Sequence, residues 1–329
     1  MYLLNVSIKY LSDNMAFEIW TEKYRPLKLD EIVDQTHIVD RLKSFVKNKT
    51  IPHMIFAGPP GTGKTCCAIA IARELFGESW RQNFQETNAS DMRGIDVIRT
   101  RIKNFSRTKP IGSTFKIIFL DEGDALTSDA QNALRRLMEM YADVTRFIIS
   151  CNYSSNLISP IQSRAAVFRF KFLSKENVFS YLEKIVKAEK IKIDKDALEA
   201  VYEISEGDLR KATNILQASA MMGKKITKNI IYEVAAQAEP DEVKKMINLS
   251  LKGKFIDARD MLKDMLLKRG ISGQDIIKQI SSQIYNLDIS DTAKACLIDK
   301  VGDFEFRMQT GNEMIQLEAL LAQFTVSKR

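Results

Sequence analysis

The stretch GPPGTGKT, residues 58–65, constrains this chain more than any other part of it. It fits G-x-x-x-x-G-K-[ST], with the apolar run HMIFA before it and CCAIAIARELF, apolar at helical spacing, after it. Such a loop joins a buried strand to a helix. Its backbone N–H groups close around phosphate oxygens, and the positive end of the following helix faces them. The expectation is a parallel α/β sheet beneath a bound nucleoside triphosphate. Gly58, Pro59, Pro60, Gly61, Thr62 and Gly63 would form the cradle. Lys64 would reach the β and γ phosphates, and Thr65 would help hold Mg²⁺.

Further strand signals extend the pattern. FQETN (84–88), KIIFL (116–120), RFIIS (146–150) and VFRFKF (167–172) alternate with helical spacing, which argues for βαβ units. KIIFL runs into two acids. Asp121 at the strand end suits coordination of Mg²⁺ through water, and Glu122 suits orienting or deprotonating an attacking water. The plainer alternative is a solvated turn after a buried strand. Asn152 ends RFIISCN and would position water or meet the γ phosphate, although an Asn after a strand also serves as a turn former. Arg164 lies in the polar turn SPIQSRAAVF, either reaching a neighbouring subunit's γ phosphate or forming a surface salt bridge. Arg210, in EGDLRKATN, opens a helix where it would sense phosphate or stand as a solvated helix arginine.

After Ser174 strand signals stop and every segment reads as helix. At 329 residues the chain exceeds one ordinary core, so several domains are expected. Their boundaries are read as an N-terminal extension at 1–17, a nucleotide-binding domain at 18–173, a helical lid at 174–238 and a helical collar at 239–329. Pro240 followed by Asp241 suits a helix start. Met15, just before AFEIWTEKYRP, is a candidate initiator, which would make the first fourteen residues an extension. No apolar run reaches the roughly 18 residues of a membrane span. Four cysteines without C-x-x-C spacing and two histidines give little support to a zinc site or a disulfide framework. A reducing compartment is expected.

The loop, the two acids, Asn152, Arg164 and Arg210 occur in an order that resembles AAA+ ATPases. Four strings narrow the resemblance: WTEKYRP (20–26), NASDMRGIDVIR (88–99), DEGDALTSDAQNALRRLMEMY (121–141), and SR (163–164) with GDLRKA (207–212). They are similar to the small subunits of replication factor C, the clamp loader, most like the archaeal form, over residues 18–329. The resemblance implies a P-loop AAA+ domain with a parallel sheet, then an all-α lid and an all-α collar. It implies ATP and Mg²⁺ as cofactors, with Thr21, Arg25 and Val33 against adenine and ribose. Arg164 would be a finger acting in trans, and Arg210 a second sensor. Two residues depart from the family pattern: Gly123 stands where Ala is usual and Ala165 where Cys is usual. The glycine is expected to add backbone freedom beside Glu122.

The partners implied are a larger clamp loader subunit, further copies of this chain, a sliding clamp and primer-template DNA, with no membrane. The compartment implied is the cytoplasm if the source is archaeal and the nucleus if it is eukaryotic. The net charge of +7 is compatible with a nucleic-acid partner. From Asp91 to Lys109 there are six basic residues against two acids. On a helix, Ile95, Ile98, Ile102 and Phe105 share one face, and Arg99, Lys103 and Arg107 recur every four residues beside it, with Asp96 expected to pair with Arg99. Such a stripe alone is usually a solvated face. The resemblance turns it toward DNA, with Arg93, Arg99 and Lys103 as phosphate contacts. The segment after it is where family members touch the clamp. A branch-migration motor of the same superfamily and a nucleotide-binding stator are the alternatives. The first is disfavoured by the absence of a winged-helix signature after residue 240, the second by intact Lys64, Thr65, Asp121 and Glu122.

Overall fold

The computed structural model describes residues 18–90 and 95–326, the side chains of 95–99 apart. The candidate extension at 1–17 and Arg93 lie outside the described residues. By internal contacts the chain divides into two compact units, one running through Lys190 and including Ser205–Asn214, the other comprising Ile191–Ile204 and Ile215 onward.

The first unit is built on five parallel strands: β1 (His53–Ala57), β2 (Phe84–Asn88), β3 (Lys116–Asp121), β4 (Thr145–Cys151) and β5 (Ala165–Arg169), in the spatial order β2-β3-β4-β1-β5. Helices α1 (Thr36–Lys47), α2 (Lys64–Phe76), α3 (Ile95–Arg107), α4 (Ser128–Met140) and α5 (Lys175–Ala188) accompany it. Both faces of the sheet are covered, so the central strands β1, β3 and β4 read as nearly continuous apolar runs, while the edge strand β2 has only Phe84 as an apolar residue. Alternate residues serve opposite cores. Met54, Phe56, Ile117, Phe119 and Phe168 pack with α1 and α2, while Ile55, Ile118, Phe147 and Ile149 pack with Leu134 and Leu137 of α4.

β5 begins two residues earlier than its apolar run suggests and ends at Arg169. Phe170 still donates its N–H to Ala57 O at 2.8 Å, but β1 gives way to the phosphate loop at Gly58 and offers no further partner. Phe172, placed in the strand by its hydrophobicity, is exposed.

After α5 come α6 (Lys195–Ser205), α7 (Leu209–Ala220) and α8 (Lys228–Val234). The second unit continues as α9 (Pro240–Leu251), α10 (Phe255–Lys263), a π-turn at Asp264–Lys268, α11 (Gly273–Ile284), α12 (Asp291–Met308) and α13 (Glu313–Val326). Pro240 stands at the start of α9, with Asp241 and Glu242 in its first turn. Ile276, Ile280 and Ile284 recur every four residues along α11 and meet Val243, Ile247, Leu317 and Phe324 in one core. Among the described residues no strand follows Arg169, apart from an isolated bridge between Ile193 and Ile226. No described helix is long and apolar enough to cross a membrane.

Candidate active site

A cleft of about 220 Å³ opens at the carboxyl ends of β1, β3 and β4, all of it in the first unit. A switch point in a parallel sheet is where such folds bind ligands, because strand ends and helix N-termini converge there. Pro60, Gly61, Thr62, Gly63, Lys64 and Thr65 line its floor. Gly58 and Pro59 stand just behind, and their carbonyls accept from Lys64 Nζ at 2.6 and 2.8 Å. Burial pushes the Lys64 ammonium below the usual lysine range, with Arg210 adding to the effect and Asp121 opposing it. An entering phosphate relieves that cost by pairing the charge.

Gly61 is a position in the loop that requires glycine. Its φ is +67°, and a Cβ there would meet Asp208 Oδ1 at 1.7 Å. Asp208 accepts from Lys211 N–H at 3.0 Å at the start of α7, and Leu209 N–H reaches Gly61 O at 3.3 Å. Through these bonds the first turn of α7 seats on the phosphate loop and brings Arg210 to the cleft.

Asp121 and Glu122 line the opposite wall. Thr65 Oγ1 donates to Asp121 Oδ2 at 3.2 Å, and Glu122 N–H donates to Asp121 Oδ1 at 3.0 Å. A hydroxyl and a carboxylate side by side next to a phosphate cradle are the hard oxygen donors that Mg²⁺ takes, so these residues fit the ion. Glu122 itself is left-handed, at φ 54° and ψ 39°, an uncommon conformation for a non-glycine residue. Gly123 is not loose, as its sequence position suggests. It is buried, and a Cβ on it would lie 2.4 Å from Ile149 Cγ2. The glycine lets β4 pack against the turn that aims Glu122. Asp124 then accepts Asn152 N–H at 3.0 Å, joining the β3 and β4 ends so that Asn152 also lines the cleft.

The remaining wall comes from the segment before β1. Thr21, Arg25 and Val33, the residues that the resemblance implies, line it together with Glu22, Pro26 and Ile32. Arg25 Nη1 pairs with Glu22 at 3.1 Å. Leu29 is fully buried, and its N–H donates to Glu74 Oε1 of α2 at 2.8 Å. Tyr24 and Lys23 both reach Glu189, just past α5.

Sequence reasoning missed Tyr181 and Thr213. Both line the cleft, and the Tyr181 hydroxyl, raised in pKa by burial, donates to Tyr24 O at 3.3 Å. No motif marks them, since they come from two helices far apart in sequence. Cys66 and Cys151 also line the cleft, and burial pushes both thiols up, Cys151 to about 12. Cys151 is buried and Cys66 is half-buried beside Arg25.

Three assigned residues lie elsewhere. Arg164 does not line this chain's own cleft; its Nη2 lies 2.7 Å from Glu139 of α4, the salt bridge that was the plainer sequence reading. Lys103 is half-buried on α3, between exposed Arg101 and Arg107, and Ile102 is buried beneath them. Arg99 lies in α3, but its side chain, like that of Asp96, is outside those described. α3 packs on α4. Its last turn is held from β3, where the Lys116 ammonium reaches Phe105 O at 3.2 Å and the Thr108 hydroxyl. A cation suits a helix C-terminus.

Three family models match the chain. Residues 54–173 match the ATPase family associated with various cellular activities, 180–221 an AAA+ ATPase lid domain of the RCF1/5-like type, and 238–323 the replication factor C C-terminal domain. The chain is 54% identical over 316 residues to the replication factor C small subunit of Archaeoglobus fulgidus, covering 95% of this chain and 99% of the relative. It is 52% identical over 309 residues to the namesake from Methanococcus vannielii, with 93% and 98% covered. Among solved structures, the Thermotoga maritima RuvB Holliday junction branch migration motor superposes with a TM-score of 0.55 at 18% identity, over 78% of this chain and 91% of that one. At that identity the likeness is of fold alone. The cleft therefore belongs to an AAA ATPase domain and binds nucleotide. Identity above one half over nearly the whole length, with the three matched domains in order, places this chain in the family of replication factor C small subunits.

Proposed function

We propose that this chain is an ATP-hydrolysing clamp loader subunit that, with copies of itself and a larger partner, opens a ring-shaped sliding clamp and loads it onto primed DNA. The observation that carries this reading is an ATPase cleft that brings together the phosphate loop, both acids, Asn152 and Arg210, in a chain whose Arg164 lies outside that cleft. Family membership supplies the clamp loader context. The three-domain division with boundaries near 173 and 238 is supported by the spans of the matched family models.

ATP is the proposed nucleotide. The adenine and ribose would rest against Thr21, Arg25 and Val33, with Tyr181 and Thr213 completing the wall. Gly58 to Gly63 would wrap the phosphates, and Lys64 would exchange the carbonyls of Gly58 and Pro59 for phosphate oxygens. Thr65 and Asp121 would hold Mg²⁺, which when bound neutralises phosphate charge. Glu122 orients and deprotonates the attacking water, while Asn152 and Arg210 meet the γ phosphate. Arg164 completes an adjoining subunit's site, where such fingers contribute about 10³ to 10⁵ in rate.

DNA is proposed to run along α3, meeting Arg93, Arg99 and Lys103 through its phosphates. Tracking a duplex needs no base reading, and each phosphate neutralised should add about −0.9 to the salt slope of binding. The cytoplasm is the proposed compartment, in keeping with the archaeal relatives.

The test is the steady-state ATPase rate of the chain assembled with its larger partner, with and without clamp and primer-template DNA. Strong joint stimulation, abolished by Arg164→Ala with nucleotide binding intact, is the expected result. A rate indifferent to the clamp would sink the clamp loader reading and favour another DNA-dependent motor.

A further inference from the structure

Arg164 is fastened on one side. Its Nη1 donates to Pro160 O at 2.7 Å and lies 3.4 Å from Ser163 Oγ, while Nη2 lies 2.7 Å from Glu139 Oε1. The same Glu139 oxygen accepts from Arg135 Nη1 at 3.1 Å, one turn back on α4. One carboxylate oxygen thus links two guanidinium groups, one from the α4 surface and one from the turn before β5.

Stability is a poor reason for this arrangement. The Arg164 and Glu139 side chains are 38% and 42% exposed, and ion pairs so open to water contribute little. Orientation is the better reason. Arginine has many rotamers, and a long side chain that must meet an anion pays for its freedom at the moment of contact. The bonds to Glu139 and Pro160 occupy part of a rigid fork of five donors and leave the rest available. Because Glu139 is shared with Arg135, the local charge remains positive and Arg164 keeps its attraction for phosphate.

We propose that Glu139 is the positioning residue of the Arg164 finger, holding its guanidinium preorganised for the phosphate of an adjoining subunit. This inference rests on the reading of Arg164 as acting in trans.

The experiment compares Glu139→Gln, Glu139→Asp, Arg164→Ala and the Glu139→Gln/Arg164→Ala double variant. Each is assembled with the larger subunit, clamp and primer-template DNA, and ATP hydrolysis is followed. Glu139→Gln is expected to lower kcat about tenfold, below the roughly 10²-fold that full misplacement of a group can cost because Gln still accepts a hydrogen bond, with KM for ATP changed less than about twofold. Glu139→Asp should recover most of the loss, and the double variant should be no slower than Arg164→Ala alone. ATP affinity of each isolated chain, expected to be unchanged, reports that it folds.

A Glu139→Gln rate equal to or above the unmodified one overturns the proposal while leaving the Arg164 reading intact. So does a further loss in the double variant, or failure of Glu139→Gln to assemble. A normal rate for Arg164→Ala overturns both the proposal and the reading beneath it.

Discussion

The sheet-bearing unit buries Thr62, Lys64, Thr87, Lys116, Gln131 and Ser150, whereas the described helical block from Pro240 to Val326 buries no polar side chain except Ser250. Backbone strain divides in the same way. Among the described residues, non-glycine positive φ occurs at Asp34, Lys49, Glu122, Lys190 and Glu206 in the sheet-bearing unit and nowhere after Pro240. A buried ammonium and a left-handed glutamate each raise the free energy of the fold, and both lie where β1 and β3 end at the cleft. The helical block has only to bury apolar faces, which Ile, Leu and Met at helical spacing accomplish without strain. The contrast sets buried polar groups and backbone strain beside the cleft in one region and apolar packing in the other.

The hardest test of that contrast removes the buried cation. Lys64→Ala is expected to lower ATP hydrolysis by about 10²- to 10³-fold or more, comparable to deleting a preorganised charge stabiliser, while thermal unfolding changes little. A normal turnover number would break the assignment. The mirror experiment is Leu317→Ala in the helical core, where the side chain is fully buried. Unfolding by denaturant should show a loss of about 2–5 kcal/mol, with ATP affinity of the remaining folded chain unchanged.

Gly123→Ala sharpens the comparison at the strained turn. The added methyl must displace Ile149, and overpacking of this kind costs about 1–3 kcal/mol. Combined with Ile149→Ala the two losses should be less than additive in denaturant melts, and strict additivity would show that the methyl is accommodated elsewhere.

The smallest effect concerns His53 at the start of β1. Its Nδ1 accepts Phe147 N–H at 3.1 Å, and burial, aided by Arg146, lowers its pKa to about 4. The unfolded chain takes up this proton near pH 6.5, before the folded chain does. The stability from the neutral ring is therefore complete above about pH 6.5 and is lost as pH falls through about 4. His53→Asn should flatten that part of the stability profile, and an unaltered slope would assign it to other groups.

Much of the cleft was legible in the sequence because its parts are local. Residues 58–65 work through their own backbone N–H groups, and Asp121 with Glu122 simply end an apolar strand. Asn152 at a strand end and Arg210 at a helix start were legible as phosphate contacts beside plainer readings as a turn former and a solvated arginine, whereas Thr21, Arg25 and Val33 became legible only through the resemblance. The helical character of the chain from Pro240 onward followed from spacing alone, with Pro240 and Asp241 marking the start of α9.

Other features depend on residues far apart in sequence that meet only after folding. Tyr181 reaches Tyr24, Asp124 takes the Asn152 amide, and Glu139 pairs with Arg164, each across an intervening element. The order β2-β3-β4-β1-β5 is of the same kind, because a strand's own composition names no neighbour. Periodicity and short motifs record what a segment does with its own backbone. Which side chain meets which is settled by the packing of strands and helices around shared cores, and the site is finished there.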